Sequence, residues 1–282
     1  MVPGRFGRPS VVASRRRLEP GSVRRVAIVA SRKVDAGYLK RLEGTLGRGG
    51  VEIVETRPED DPDGRDQVDL VFVLGGDGTM LRASRIYPGK ILLGVNFGRV
   101  GFMSGMLPEH MEEGVGKLLR DGIEVQEYRK LDVRVGEEAW RTAANDAVLL
   151  KKRPHQIASV DVSIGGEELF AFRCDGFIAA TPLGSTAYAL SAGGPIVSGD
   201  ARCYVLVPIA PHALVSRPLV LGEEQVTELR LVERDALLSL DGEEPRELHA
   251  GDTVRVRLSA ESVKIGRTDD WTWWRAVRRT FL

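Results

Sequence analysis

Residues 68–74 (VDLVFVL) run almost without interruption as apolar side chains. They end on Gly75-Gly76-Asp77-Gly78-Thr79, and helical spacing resumes over 79–86. A short apolar run of this kind suits a strand buried on both faces, the condition of strands in a parallel sheet. In such sheets ligands bind beyond the carboxyl ends of the strands. Glycines there let the backbone take positive φ and approach a ligand closely, and the unpaired N–H groups at a helix start attract phosphate. Gly75, Gly76, Gly78 and Thr79 are therefore expected to form a phosphate-binding turn. A carboxylate alone would repel phosphate, so Asp77 needs a separate task. It can accept a proton from a hydroxyl nucleophile or hold Mg²⁺. A tight turn whose aspartate caps the helix accounts for the same residues.

The surrounding pattern extends this reading. Residues 26–30, 51–54 and 91–95 are further apolar strands, 36–46 has helical spacing, and 57–66 (RPEDDPDGRD) is a polar loop. The resulting β-α-β-β-α-β order predicts an α/β domain with a mostly parallel sheet. Beyond about residue 121–130 the pattern becomes short β-branched stretches at 131–135, 143–150, 159–164, 177–180, 204–207, 228–232, 236–240, 253–258 and 262–265. Turns such as Gly165-Gly166 and Asp241-Gly242 separate them, and one helix is expected over 185–192. This predicts an all-β, sandwich-like second domain. The expected division is a disordered arginine-rich tail at 1–22, an α/β domain at 23–125, a β-sandwich domain at 126–270, and a tail at 271–282 that packs back through Trp271, Trp273 and Trp274.

Composition narrows the function. The 282 residues hold 40 basic and 40 acidic side chains, a formal net charge of zero, which argues against a nucleic-acid binder working by bulk charge. No apolar run approaches a bilayer span, and no secretory leader is evident. Cys174 and Cys203 make neither a disulfide framework nor a zinc pattern, and the four histidines show no metal-binding spacing. The simplest compartment is a reducing cytoplasm. Neither GxxxxGK[ST] nor GxGxxG occurs, which sets aside P-loop NTPases and ordinary Rossmann dehydrogenases.

The GGDGT segment resembles a signature shared by NAD kinases, diacylglycerol-type lipid kinases and phosphofructokinases. Other segments resemble NAD kinases in particular. These are Val95-Asn96-Phe97-Gly98-Arg99-Val100-Gly101-Phe102, the pair Asn145-Asp146, Asp175-Gly176, the block Thr181-Pro182-Leu183-Gly184-Ser185-Thr186-Ala187-Tyr188 with Ser191-Ala192-Gly193-Gly194-Pro195, Pro208-Ile209-Ala210-Pro211-His212 and Ser216-Arg217-Pro218. They follow one another in the family's order. The resemblance implies an N-terminal α/β domain, a sandwich-like C-terminal domain, and phosphoryl transfer from ATP or inorganic polyphosphate to the 2′-hydroxyl of the adenosine ribose of NAD.

By that resemblance Asp77 is the base and also touches NAD. Gly78, Leu81, Arg82 and Phe102 line the adenosine side. Asn145 and Asp146 bond the ribose or second adenosine, and Arg173 and Asp175 bind the nicotinamide-ribose half. Thr186, Ala187, Tyr188, Ala189, Leu190 and Ser191 cradle adenine and pyrophosphate, and Ala210 is a wall of the pocket. The resemblance also implies a divalent metal, Mg²⁺, carried with the nucleotide and without assigned protein ligands. It implies a cytoplasmic homodimer or homotetramer that binds neither nucleic acid nor membrane. Three positions depart from the family pattern: Asp146 for glutamate, Leu183 for a small polar residue, and Glu243 where some relatives carry glutamine or histidine. A lipid kinase shares GGDGT but lacks the Asn-Asp pair and the GSTAY block. A non-catalytic NAD(P)-binding regulator has no need of a carboxylate at Asp77.

Overall fold

The computed structural model describes residues 16–61, 64, 67–98, 101–212, 217–267 and 271–281. The chain begins with β1 (Arg16–Leu18), β2 (Arg25–Ala30), α1 (Ala36–Arg48), β3 (Glu52–Pro58), β4 (Leu70–Gly75), α2 (Asp77–Ile86), β5 (Ile91–Asn96) and α3 (Met111–Asp121). Strands β3, β2, β4 and β5 lie side by side and parallel, with Gly75 opposite Asn96 at the carboxyl ends of β4 and β5. Every residue of β4 is buried, as its apolar run requires. Alternate residues feed two cores. Val26, Ile28, Leu70, Phe72 and Leu74 pack with α1 and α3, whereas Ala27, Val29, Val71 and Val73 pack with α2 and the C-terminal helix.

The second half contains β6 (Ile123–Val135), β7 (Arg141–Ala143), β8 (Asp146–Lys151), β9 (Ala158–Ile164), β10 (Glu167–Cys174), β11 (Gly176–Ala180), the short α4 (Tyr188–Ser191), β12 (Cys203–Ile209), β13 (Leu219–Gly222), β14 (Val226–Leu231), β15 (Ala236–Leu240), β16 (Arg246–Leu248), β17 (Thr253–Arg267) and α5 (Trp273–Phe281). Strands β13-β12-β11-β8-β15-β16 form one antiparallel sheet. Its inner face, with Ala147, Leu149, Phe177, Ala179, Tyr204 and Leu206, packs on β6, β9, β14 and β17. Its outer face, with Val148, Ile178, Ala180, Val205 and Val207, is covered by Ala189 of α4. The architecture is thus an α/β half with a mostly parallel sheet and a β-sandwich half.

The two halves share a strand. Residues 253–258 and 262–265 read as separate strands, but they form the single fifteen-residue β17, with an irregularity between Leu258 and Ser262. Its first part pairs antiparallel with β14 and β6, and Lys264 and Ile265 pair parallel with β5. This pairing begins at the amino end of β5 and runs in its direction, toward the carboxyl end of the parallel sheet.

Several elements go beyond the sequence pattern, among them α3, β1, β10, β13, β16 and α5. Helix α3 buries Met111, Val115 and Leu118 at helical spacing, although Gly114 and Gly116 weaken its propensity. Strand β10 returns from β9 across Gly165-Gly166, both at positive φ, as a two-residue hairpin turn requires. Strand β1 lies in the arginine-rich segment and pairs with β6, while residues 1–15 of that segment lie outside the described residues. At the C-terminus Trp273 is buried in the core, Trp271 is half-buried and Trp274 is 61% exposed. Among the described residues no helix is long and apolar enough to cross a membrane.

Candidate active site

Helix α2 starts at Asp77 itself, with Gly76 at the N-cap in extended geometry and no side-chain cap bond there. The aspartate therefore does not cap its own helix. Its Oδ2 accepts from the N–H of Phe102 (2.8 Å) and its Oδ1 from the N–H of Met103 (3.1 Å). A Cβ built on Gly101 would overlap this carboxylate, so the glycine of the Gly101-Phe102 pair permits the approach. Arg99 and Val100 of the same motif lie outside the described residues. The Phe102 ring points away into the core, 5.0 Å from Trp273 and stacked at 5.8 Å on Phe281.

The turn is braced from β3. Glu59 accepts from Thr79 Oγ1 (2.6 Å), Ser31 Oγ (2.9 Å) and Arg82 (2.8 Å), bonds that hold its carboxyl below the usual range against the opposing effect of burial. Gly75 leaves room for the Thr79 side chain, which a Cβ there would strike. Gly78 is exposed, and a cavity of about 320 Å³ beside α2 is lined by Glu59, Asp60, Arg82, Arg85 and Glu243.

The sandwich half closes on α2. Leu81, Phe102, Ala144 and Leu183 share one core cluster, so the apolar Leu183, 2% exposed, fills a contact with the α/β half. Asp241 accepts from the N–H groups of Ala144 (2.8 Å), Asn145 (2.7 Å) and Asp146 (3.1 Å). It adopts φ 51°, a conformation aspartate tolerates better than most residues. Burial raises its carboxyl, an effect opposed by those three bonds and by Arg85. Burial, with the neighbouring Asp241 charge, pushes Asp146 up to about 7. Arg85 of α2 reaches Glu243 at 2.9 Å and Asp241 at 3.9 Å, and Glu243 also pairs with Arg141 at 2.7 Å. Thr181 donates to the Ala144 carbonyl and accepts from Gly184 N–H, tying the glycine-rich block to the Asn-Asp pair. Asn145 Oδ1 is buried with no hydrogen-bond partner among the described residues, which leaves an acceptor for a ligand donor.

The remaining expected residues fall elsewhere. Thr186 ends a 3-10 turn at Gly184–Thr186, Ala187 leaves helical geometry (φ −99°, ψ −128°), and Tyr188, Ala189, Leu190 and Ser191 make up α4, so the expected helix over 185–192 is broken in two. Tyr188 and Ser191 are exposed and Ala189 is buried. Arg173, Asp175 and Ala210 gather at the other end of β11. Asp175 N–H donates to the Ile209 carbonyl, and its side chain meets Lys151 Nζ at 2.6 Å. Asp146 is opposite Ala180 in the register, whereas Leu150 is opposite Gly176, so about 13 Å of strand separates the groups at roughly 3.3 Å per residue. Ala210 has φ 42°, an uncommon conformation for alanine. Arg217 is exposed, and Ser216 lies outside the described residues.

Among the described residues, one group of three side chains could hold a metal: Asp235, Glu247 and His249. It lies at the distal end of β8, and the Lys152 ammonium already contacts both carboxylates. Arg85, Asp241, Glu59 and Arg267 border the site without standing in any motif. They carry no local signal, because each acts on a residue distant in the chain.

Residues 23–123 match the family model of the ATP-NAD kinase N-terminal domain, and residues 144–268 match that of the ATP-NAD kinase C-terminal domain. The chain is 33% identical over 261 residues to an NAD kinase of Heliobacterium modesticaldum, covering 89% of this chain and 92% of the relative. It is 35% identical over 269 residues to an NAD kinase of Methanopyrus kandleri, covering 93% and 95%. An NAD kinase from Archaeoglobus fulgidus, solved in complex with ATP, superposes with a TM-score of 0.76 at 29% identity over 90% of this chain and 99% of its own. Yeast NADH kinase, solved with NADH, shares the fold with a TM-score of 0.82 at 21% identity over 94% and 93%. A parallel sheet with a carboxylate in its glycine turn, closed by an antiparallel sandwich, defines a two-domain phosphotransferase. The chain belongs to the NAD kinase family.

Proposed function

We propose that the chain transfers the terminal phosphoryl group of ATP, or of inorganic polyphosphate, to the 2′-hydroxyl of the adenosine ribose of NAD. The observation that supports this most is the setting of Asp77. Each of its oxygens accepts one backbone N–H and keeps a further lone pair. The carboxylate is therefore oriented and still able to take the hydroxyl proton. The ribose oxygen forms its bond to the γ-phosphorus as the bridge to the β-phosphate breaks. ADP leaves, and the proton rests on Asp77. The free N–H groups of Gly78 and Thr79 at the start of α2 face developing phosphate charge.

Asn145 and Asp146 would take the adenosine end of NAD, with Leu81 and the packed Phe102 behind it. Arg173, Asp175 and Ala210 would take the nicotinamide-ribose half, and Thr186 to Ser191 the pyrophosphate side. The carboxylates beside the turn, Asp77 and Glu59, already accept protein donors. The described residues thus build no all-protein cation cage there. Mg²⁺ fits as an ion that arrives on the donor phosphates with part of its water shell and neutralises their charge. We further expect a cytoplasmic homodimer or homotetramer, which light scattering after size exclusion would test.

The deciding experiment incubates purified chain with NAD, Mg²⁺ and either ATP or polyphosphate, and follows NADP with an NADP-specific dehydrogenase. Turnover with either donor is expected. NAD binding without turnover under both donors would replace this reading with a regulatory one.

A further inference from the structure

Arg267, the last residue of β17, is 2% exposed and is the largest fully buried side chain described. Its guanidinium donates to the Phe102 carbonyl (Nη2, 2.7 Å), the Met103 carbonyl (Nη1, 3.1 Å), the Tyr128 hydroxyl (Nη2, 2.7 Å) and Gln126 Oε1 (Nε, 3.3 Å), and it stacks 3.4 Å from the Trp271 ring centre. Among the described residues no carboxylate pairs with it directly. Burying a cation is costly, and a cavity-filling apolar side chain would serve packing better. The charge therefore calls for a role.

One peptide unit explains it. The Phe102 carbonyl accepts from Arg267, and the N–H of that same peptide, on Met103, donates to Asp77 Oδ1. The peptide dipole thus lies between a fixed cation and the carboxylate, each strengthening the other's hydrogen bond. Burial lowers the Arg267 pKa, and the Tyr128 hydroxyl and the Asp77 charge pull it back up. Among the described residues, the other titratable groups bordering the arrangement are Glu59 and Arg82 at the turn and Tyr128 beside the guanidinium.

We infer that Arg267 is a positioning residue for Asp77: through the Phe102–Met103 peptide it fixes the carboxylate's orientation, although it reaches neither substrate nor reacting atom. This rests on Asp77 being the base. The fork matters as well as the charge, because two adjacent carbonyls accept from two nitrogens of one plane, which a lysine cannot reproduce.

The test compares Arg267→Met and Arg267→Lys with wild type by kcat, KM for NAD and the acid limb of the kcat–pH profile. Arg267→Met is expected to lower kcat about tenfold or more, change KM less than about threefold, and move the acid limb to higher pH, since the base has lost its stabilising cation. Arg267→Lys keeps the charge and should recover part of kcat with the limb near its wild-type position. Should Arg267→Met fail to fold, the lysine variant decides: wild-type kcat there means the fork has no role. A kcat loss in Arg267→Met with an unmoved limb and no recovery by lysine would overturn the inference. The Asp77 side-chain carboxyl ¹³C titration in wild type and both variants reads the coupling without turnover. If Asp77→Asn stays active, the base assignment fails on its own, and this titration still decides whether Arg267 governs Asp77.

Discussion

Asp77 and Asp241 are both aspartates whose carboxylates are gripped by backbone N–H groups, one in each half of the molecule, yet their surroundings are opposite. Asp77 is half-exposed, accepts two N–H bonds, and has the buried Arg267 behind the peptide that holds it. Asp241 is buried, accepts three N–H bonds, and has another carboxyl, Asp146, as its neighbour. The same device thus serves two ends. Where water and a cation share the site, a gripped carboxylate stays available for proton transfer. Where the side chain is buried beside a second carboxyl, with Arg85 at 3.9 Å, it becomes a clasp that organises backbone, here the Ala144–Asp146 segment that meets α2.

The contrast can be broken at either end. Removing the clasp should have the largest effect on folding. Asp241→Ala strands three buried N–H donors and puts alanine at φ 51°, so a loss of about 3–5 kcal/mol is expected in urea unfolding. Asp77→Asn should do the reverse. It should lower kcat by about a hundredfold or more, about 2.7 kcal/mol of barrier, with unfolding stability within about 1 kcal/mol of wild type. If instead Asp77→Asn loses several kcal/mol of unfolding stability while the folded variant keeps near wild-type kcat, Asp77 is a clasp and not the base.

Asp146 sharpens the comparison through pH. Its folded pKa is about 7, raised chiefly by burial, against about 3.9 in an unfolded chain. The folded state therefore binds the proton more tightly. The stability this confers is complete below about pH 4 and is lost as pH rises to about 7, on the order of 2–4 kcal/mol. Asp146→Asn should flatten that decline, as thermal unfolding at pH 5 and pH 8 would show. The smallest effect belongs to the link between the halves. Arg85 is partly exposed in its pairs with Glu243 and Asp241, so Arg85→Gln should cost about 0.5–1 kcal/mol.

Much of this was legible in local pattern. The apolar run before GGDGT is the fully buried β4, and the strand alternation in the second half marks one face of the sandwich core from the other. Less legible were elements whose signals conflict. Gly114 and Gly116 mask α3, and the Met106 thioether packs in the space left at Gly114. Leu258–Ser262 looks like a break between strands and is an irregularity inside β17. Phe102 stands in a motif that suggests a ligand contact, and its ring lies in the core against Trp273.

Periodicity and glycine placement are properties of neighbours in the chain. They were enough to place a carboxylate in a glycine turn at the end of a buried parallel strand, and to separate an α/β half from a β half. What surrounds that carboxylate is of another kind. Arg267 meets Met103 and Phe102 across 164 and 165 residues, and Asp241 meets Ala144 across 97. Contacts of such span leave no period in the sequence. They exist because β17 lies inside the long sheet, between β14 and β5, and delivers its last side chain behind the turn, a register settled by packing both halves at once.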